Sequence, residues 1–169
     1  MNLRAIPKML SMIPTAVAGV GLRDLERIKA IARAAYPSVA QLSPATLAEW
    51  LQQPASSLFL VDVRSSREFS VSHLRGAVNL QTGEAIASAM KERKPSRTVL
   101  YCSVGFRSSR LACMLSRQGA RAVFNLEGSI FQWANEDRPV YQGDTPVQHV
   151  HPYRPRWAGL LKDGLASGH

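Results

Sequence analysis

The strongest constraint on the fold is the alternation of short apolar runs with amphipathic segments between residues 43 and 135. Four apolar runs have the length and composition of strands buried on both faces: residues 58–63, 77–80, 98–102 and 121–126. Helical segments separate these runs, as the crossovers of a parallel sheet require. The pattern predicts an α/β fold with a parallel sheet covered by helices on both faces.

Capping residues mark where the intervening helices begin. Ser43 precedes Pro44, which suits the first helical position, and Ser65 with Glu68 forms a capping box. Further helices are predicted from Thr82 to the residue before Pro95, after the third strand as far as Gly119, and over residues 129–135. In such folds ligands bind beyond the carboxyl ends of the strands, where Asp62, Arg64 and the segment from Cys102 fall.

We expect three parts in the chain: an N-terminal extension over residues 1–36, a domain over 37–141 and a tail over 142–169. Apolar residues at helical spacing from Leu22 predict an amphipathic helix ending before Pro37. We favour packing of this helix on the domain, with docking on a membrane surface as the alternative. Residues 1–20 are too short and too interrupted to span a bilayer; Ala16-Val17-Ala18 mimics a signal-peptidase site, but Pro14 shortens the apolar region.

The tail lacks the alternation of the central domain. We expect it to wrap the domain, anchored by Tyr153 and Trp157, and to be disordered after residue 162. His149 and His151 alternate as on a strand, but no third ligand is evident, so no metal site is predicted.

Charge and cysteine content limit the function classes. The chain has 21 Lys and Arg against 12 Asp and Glu, a formal charge of +9, yet its aromatic content is only 7% and scattered. Nucleic-acid binders more often interleave a basic stripe with aromatic residues, so we expect no nucleic-acid partner and favour small anionic ligands. Two cysteines exclude a disulfide scaffold and a four-thiolate zinc site. We expect no cofactor and a cytoplasmic location.

The segment after the third strand carries the best candidate for chemistry. It reads Cys102, Ser103, Val104, Gly105, Phe106, Arg107 and Ser108. A cysteine between a buried strand and a helix faces the helix N-terminus, whose free N–H groups stabilise a thiolate and any negative group attached to it. Gly105 permits a conformation that other residues resist, and Arg107 adds a permanent positive charge. Cys102 is therefore the predicted nucleophile, in a loop that binds the charge it develops.

Five blocks of the sequence, in order, resemble the rhodanese family of sulfurtransferases. They are Leu60 to Arg64, Glu68-Phe69, His73 to Ala77, Cys102 to Arg107, and Asn125 to Gly128 with Trp133. The resemblance implies a rhodanese-like fold with about five parallel strands. It further implies that Cys102 takes a sulfane sulfur from a small anionic donor, holds it as a persulfide and passes it to a thiophilic acceptor such as cyanide, a thiol or a protein. Asp62 and Arg64 match a paired position that braces the loop or binds substrate; a local ion pair is the alternative.

Several alternatives remain open. Related phosphatases and arsenate reductases place five residues between Cys and Arg, whereas four intervene here, which suits a sulfur atom better than a phosphate. A carrier or partner-binding module with little turnover is the competing class. Thiosulfate-preferring relatives often carry basic residues where Ser103 and Val104 stand, so persulfides and 3-mercaptopyruvate stay candidate donors. His73 is interpreted as structural, and Cys113 as inert rather than as a resolving thiol.

Overall fold

A computed structural model describes residues 22–53 and 57–168. The helices are α1 (Leu22–Ala35), α2 (Pro44–Leu51), α3 (Ser66–Val71), α4 (Gly83–Arg93), α5 (Phe106–Arg117), α6 (Ser129–Asn135) and a C-terminal 3-10 helix (Pro155–Leu160). The strands are β1 (Ala40–Leu42), β2 (Leu58–Asp62), β3 (Val78–Asn79), β4 (Arg97–Tyr101), β5 (Val123–Leu126), β6 (Val140–Gln142) and β7 (Thr145–Val147). The predictions made for residues 1–20 lie outside the described residues.

Five strands form one parallel sheet in the order β1-β5-β4-β2-β3, which confirms the predicted α/β fold. The central pair β2 and β4 runs in register from Leu58 beside Arg97 to Asp62 beside Tyr101. Cys102 follows Tyr101 directly. The register therefore places the start of the cysteine loop next to the end of β2.

Both faces of the sheet are buried, as the unbroken apolar runs predict. Phe59 and Val61 face one cluster, together with Ile86 of α4 and residues of α5. Leu60 faces the other cluster, to which α1, α2, α6 and the 3-10 helix contribute. This second cluster includes Leu25, Ile28, Leu47, Ile130, Trp157 and Leu160. Alternate residues of one strand thus serve opposite layers of the core.

Three short strands were not predicted. β1 has three residues, which is too few for a periodicity to be recognised, and it pairs with β5. β6 and β7 form an antiparallel hairpin, and Pro146 within β7 conceals it because proline weakens a strand pattern. Tyr141 of this hairpin exchanges backbone hydrogen bonds with His73, each at 2.8 Å, which ties the hairpin to the end of α3.

The segments that flank the central domain contribute to its core. Leu25 and Ile28 of α1 lie in the same cluster as Trp157 and Leu160 of the 3-10 helix. The apolar face of α1 is therefore covered by the protein itself. The end of the chain differs from the predicted disorder, because the Val150 N–H donates to the Leu165 carbonyl at 2.7 Å. A second hydrogen bond, from Ser167 to Val150 at 3.0 Å, holds this end against the domain.

None of the helices formed by the described residues has both the length and the hydropathy that a membrane-spanning segment requires. No three His, Cys, Asp or Glu side chains among the described residues are grouped so that they could hold a metal ion. The imidazole of His151 accepts a hydrogen bond from the Tyr153 backbone N–H at 3.0 Å, through Nδ1. His149, by contrast, is exposed.

Candidate active site

Cys102 lies in the turn between β4 and α5, where only 1% of it is exposed. The backbone N–H of Gly105 donates to its sulfur at 3.2 Å. Gly105 has a φ of 98°, in the left-handed region, and a Cβ at this position would lie 3.2 Å from the Asn125 amide nitrogen. Glycine therefore allows the backbone to bend under the sulfur without strain or crowding.

The electrostatics of the turn favour a thiolate at Cys102. Burial alone raises the pKa of the thiol, because it penalises the charged form. The positive charge of Arg107, the Ser108 hydroxyl and the N–H groups of Ser108 and Gly105 outweigh this penalty, so the net pKa lies below its ordinary value. The same groups would stabilise a negative charge on a sulfur atom attached to Cys102.

Arg107 is held in place by Glu68, a residue at the start of α3. Its Nη2 lies 2.7 Å from Glu68 Oε1, and its Nη1 lies 3.1 Å from Oε2. Ser103 joins this network: its hydroxyl donates to Glu68 at 3.1 Å and accepts from Arg107 at 3.0 Å. Burial would raise the pKa of Glu68, but the hydrogen bonds and charge of Arg107, with the hydrogen bonds of Ser65, lower it to about 2. Glu68 is therefore a carboxylate at neutral pH and fixes the guanidinium.

The local sequence pattern predicts only a capping-box role for Glu68, and the structure confirms that capping box. Its Oε2 accepts from the backbone N–H of Ser65 at 3.0 Å, while the Ser65 hydroxyl accepts from the Glu68 N–H at 3.3 Å. The same carboxylate reaches Ser103 and Arg107, which are 35 and 39 residues further along the chain. No local pattern signals that second role, although the Glu68-Phe69 block of the resemblance includes the residue.

A residue of the tail also reaches the cysteine loop. The guanidinium carbon of Arg107 lies 4.6 Å from the centroid of the Tyr153 ring. This geometry is a cation–π contact. Elements α5 and α3 and the tail thus meet at Arg107, beside Cys102, at a place that we call the mouth of the turn.

Asp62 and Arg64 form an ion pair with both side chains fully buried, at 2.7 Å between Nη2 and Oδ2. A second hydrogen bond joins Arg64 Nη2 to the Ser72 carbonyl at 2.6 Å. The guanidinium also lies 5.9 Å from the ring centroid of Tyr101, the residue before Cys102. The pair therefore joins the end of β2 to the end of α3 beneath the loop, and neither side chain reaches the surface.

The remaining predicted loop residues point in different directions. Val104 is 2% exposed and belongs to the core, and the Phe106 ring packs edge-on against Tyr36 with centroids 5.5 Å apart. Ser108 is fully buried, and its hydroxyl is one of the groups that stabilise the Cys102 thiolate. It makes no other hydrogen bond to a described residue, so it is available to a group attached to Cys102.

Two other candidates lie apart from this chemistry. Cys113 is a free, buried thiol on α5 with the Ser38 hydroxyl 3.9 Å from its sulfur. It sits eleven residues after Cys102 and seven after Phe106, the first residue of α5, which places it about 10 Å along that helix. His73 stacks on Phe69 with centroids 4.0 Å apart, and its Nδ1 lies 3.2 Å from the Phe69 carbonyl oxygen.

Comparison with known proteins identifies the family. The sequence model of the rhodanese-like domain family matches residues 43–136, which is more than half of the chain. The chain therefore belongs to the rhodanese-like family, and the resemblance inferred from the five sequence blocks is confirmed.

Individual relatives are distant. The chain is 29% identical over 101 residues to YtwF of Bacillus subtilis (strain 168), a provisionally named sulfurtransferase, covering 60% of this chain and 96% of that protein. It is 24% identical over 118 residues to a tRNA uridine(34) hydroxylase of Acinetobacter baumannii (strain AYE), with 60% of this chain and 38% of the relative covered. A thiosulfate sulfurtransferase of Pseudomonas aeruginosa shares the fold at a TM-score of 0.56 and 21% identity, over 63% of this chain and 20% of that chain. The chain thus spans well under half of the hydroxylase.

Proposed function

We propose that this protein is a sulfurtransferase that moves a sulfane sulfur through a persulfide on Cys102. The observation that carries the proposal is the environment of the Cys102 sulfur: it accepts the Gly105 N–H at 3.2 Å, and the Arg107 charge helps to lower its pKa. A thiolate in such a position is both the nucleophile and a charge that the turn stabilises. Membership of the rhodanese-like family and the likeness to YtwF support the same chemistry.

With thiosulfate as the donor, the thiolate of Cys102 attacks the outer sulfur. A new S–S bond forms to Cys102, the S–S bond of thiosulfate breaks, and sulfite leaves with the electron pair. The product is a Cys102 persulfide anion. An acceptor such as cyanide then attacks the terminal sulfur, forms thiocyanate and returns the electron pair to the Cys102 thiolate. No external oxidant or reductant is needed, because the sulfane sulfur carries the redox change.

The size of the loop supports sulfur over phosphate as the transferred group. Four residues separate Cys102 from Arg107. Arg107 is also bound to Glu68 on two nitrogens, so its fork is not directed at a tetrahedral oxyanion. Hydrolysis of an aryl phosphate that is lost in Cys102→Ser would contradict this assignment.

Detection of the persulfide by mass spectrometry tests the proposal. The protein is incubated separately with thiosulfate and with glutathione persulfide, and the peptides containing each cysteine are examined for one added sulfur atom. We expect the adduct on Cys102 from at least one donor, its loss in Cys102→Ser and its retention in Cys113→Ser. Absence of an adduct on Cys102 from both donors would overturn the proposal.

A sulfur-carrier module with little turnover is the second candidate. The observation in its favour is that only 1% of Cys102 is exposed, which restricts the approach of an acceptor. Two measurements separate the candidates: transfer of one sulfur from the loaded protein to cyanide, and steady-state production of thiocyanate from thiosulfate. A transferase performs both reactions, whereas a carrier loads without sustained turnover on small molecules.

A further inference from the structure

The ring of Tyr153, a residue of the tail, contacts two guanidinium groups. Its ring centroid is 4.6 Å from the guanidinium carbon of Arg107 and 5.4 Å from that of Arg154. An aromatic ring attracts a cation placed over its face. Because both cations contact one ring, Arg154 stands at the mouth of the Cys102 turn beside Arg107.

The position of the Tyr153 ring is fixed by its surroundings. The residue has a φ of 65°, in the left-handed region that side-chain-bearing residues rarely adopt. Its N–H donates to His151 Nδ1 at 3.0 Å, and its ring centroid lies 5.0 Å from that of Trp157. Strained backbone persists where neighbouring contacts determine it and is frequent at functional sites. The tail is thus built to present Tyr153 and Arg154 at this place.

The two arginines differ in how far their charge is available. Arg107 is paired with Glu68 on both terminal nitrogens and also donates to Ser103. Arg154 is exposed, and it forms no salt bridge with any residue that the structure describes. An anion arriving there therefore meets a guanidinium already paired with Glu68 at Arg107, and at Arg154 one that is in no salt bridge with a described residue.

The cysteine loop itself supplies no other cation near the sulfur. Ser103 and Val104 follow Cys102, and the Val104 side chain is buried in the core. The Ser103 hydroxyl is occupied by Glu68 and Arg107. A donor with a negatively charged end needs a positive partner outside the loop.

We propose that Arg154, presented by Tyr153, is a donor-binding residue of the Cys102 site that recognises the anionic end of a small sulfur donor. This inference rests on the proposed function, since it assigns a role within sulfur transfer. The tail then supplies the cation that the loop lacks, and Tyr153 acts as a positioning residue for both arginines.

Alkylation of Cys102 tests the subsite without requiring turnover. Iodoacetate and iodoacetamide react at the same sulfur and differ in charge, so the ratio of their rate constants reports the local potential. We expect Arg154→Gln to lower the iodoacetate-to-iodoacetamide ratio by about twofold to fivefold at low salt, and the difference to shrink at high salt. Mass spectrometry of the Cys102 peptide separates this reaction from that of Cys113.

Arg117→Gln is the matched control. It removes the same charge from an exposed arginine in the last turn of α5, about 15 Å along the helix from Arg107. We expect this variant to leave the ratio unchanged. Equal ratios in Arg154→Gln and Arg117→Gln would overturn the proposal.

Variants of Tyr153 test the positioning role. Tyr153→Phe keeps the ring, so it should retain the wild-type ratio, whereas Tyr153→Ala should lower it as Arg154→Gln does. Thermal unfolding verifies that each variant is folded. If Tyr153→Phe lowers the iodoacetate-to-iodoacetamide ratio as much as Tyr153→Ala does, the aromatic ring is not the group that positions Arg154.

Steady-state kinetics connects the subsite to sulfur transfer. With thiosulfate and cyanide, Arg154→Gln should raise the KM for thiosulfate by about threefold to tenfold and change kcat by less than about twofold. An unchanged KM would overturn the donor-binding role. If the wild-type protein forms no Cys102 persulfide, the proposed function fails, and the alkylation ratio still decides whether Arg154 shapes the potential at the sulfur.

Discussion

Two carboxylate–arginine pairs lie at the same edge of the sheet and differ in how far they are open to water. Asp62 with Arg64 and Glu68 with Arg107 both have a closest nitrogen–oxygen distance of 2.7 Å. Both side chains of the first pair are 0% exposed, whereas those of Arg107 and Glu68 are 25% and 4% exposed. The same two chemical groups therefore lie wholly inside the core in one place and beside the cysteine turn, partly open to water, in the other.

We call Asp62 with Arg64 the closed pair and Glu68 with Arg107 the open pair. In the closed pair, every nitrogen of the Arg64 guanidinium but one has a hydrogen-bond partner among the described residues. Arg64 bonds to both oxygens of Asp62 and to the Ser72 carbonyl, while its Nη1 has no hydrogen-bond partner among the described residues. A buried charge pair is costly to disrupt because the remaining partner stays uncompensated. In the open pair, Arg107 also contacts the Tyr153 ring and lowers the pKa of Cys102, so its charge acts beyond the pair.

Disruption of the closed pair should have the largest effect on stability. Arg64→Met leaves the Asp62 carboxylate buried without its partner, so we expect the free energy of unfolding to fall by about 3–5 kcal/mol, measured by urea denaturation. The double variant Asp62→Leu with Arg64→Met removes both charges and should recover part of the loss. A decrease of less than about 1 kcal/mol in Arg64→Met would show that the pair is not structural.

Because of the open pair, the free energy of unfolding should depend on pH in the acidic range. The pKa of Glu68 is lowered from 4.5 to about 2, so its stabilising effect is complete above pH 4.5 and is lost as the pH falls through about 2. We expect Glu68→Gln to be less stable than the wild type by about 2 kcal/mol at about pH 6, after allowance for solvent screening, and the gap to close near pH 2. Urea denaturation at several pH values measures this.

Glu92→Gln, at an exposed site on α4, is the control for Glu68 and should show no such gap. A gap for Glu68→Gln that stays constant down to pH 2 would contradict the assignment, because it would reflect lost packing rather than lost charge.

Removal of Arg107, the arginine of the open pair, should affect the reactivity of Cys102 more than the stability of the fold. Burial raises the pKa of Cys102, and Arg107 is the largest of the influences that outweigh burial. Arg107→Gln should therefore raise the pKa of Cys102, seen as a shift of the alkylation profile to higher pH, and lower kcat/KM for sulfur transfer by roughly tenfold to hundredfold. Arg110→Gln, three residues along the same helix, should leave the profile in place. An unshifted profile in Arg107→Gln would remove Arg107 from the chemistry.

The smallest expected effect is that of salt on the stability contributed by each pair. Ions in solution screen exposed charges and have little access to buried ones. On raising NaCl from about 0.1 to about 1 M, we expect the stability difference between Glu68→Gln and wild type to shrink by less than about 0.5 kcal/mol. The corresponding difference for Arg64→Met should not change. Equal salt dependence of the two differences would mean that the pairs are equally open.

The sheet and most helices could be predicted from the sequence because their signals are local. The apolar run at residues 58–63 and the strand Leu58–Asp62 coincide closely, and the helix predicted over residues 129–135 is α6. Periodicity fails only where an element is very short, as at Ala40–Leu42, or contains a proline, as at Thr145–Val147.

The candidate site was predictable only where the reactive groups share a loop. Cys102 and Arg107 are near in sequence, and the strand-to-helix turn that contains them is itself predictable. Glu68 and Tyr153 reach Arg107 across 39 and 46 residues, and such contacts depend on the packing of distant elements. Glu68 in particular already had a complete local explanation in its capping box, which left no residual signal of a second role.

The family match covers residues 43–136, but the hydrophobic cluster on one face of the sheet does not respect those limits. Leu25 and Ile28 enter it from before the matched stretch, and Val150, Trp157 and Leu160 enter it from after. An excised fragment with only the shared stretch would expose that layer to water and favour self-association. A chimera that carries residues 43–136 alone would therefore lack part of its hydrophobic core. It needs the preceding helix and the C-terminal tail as well, since these complete the core and place the Tyr153 ring beside Arg107.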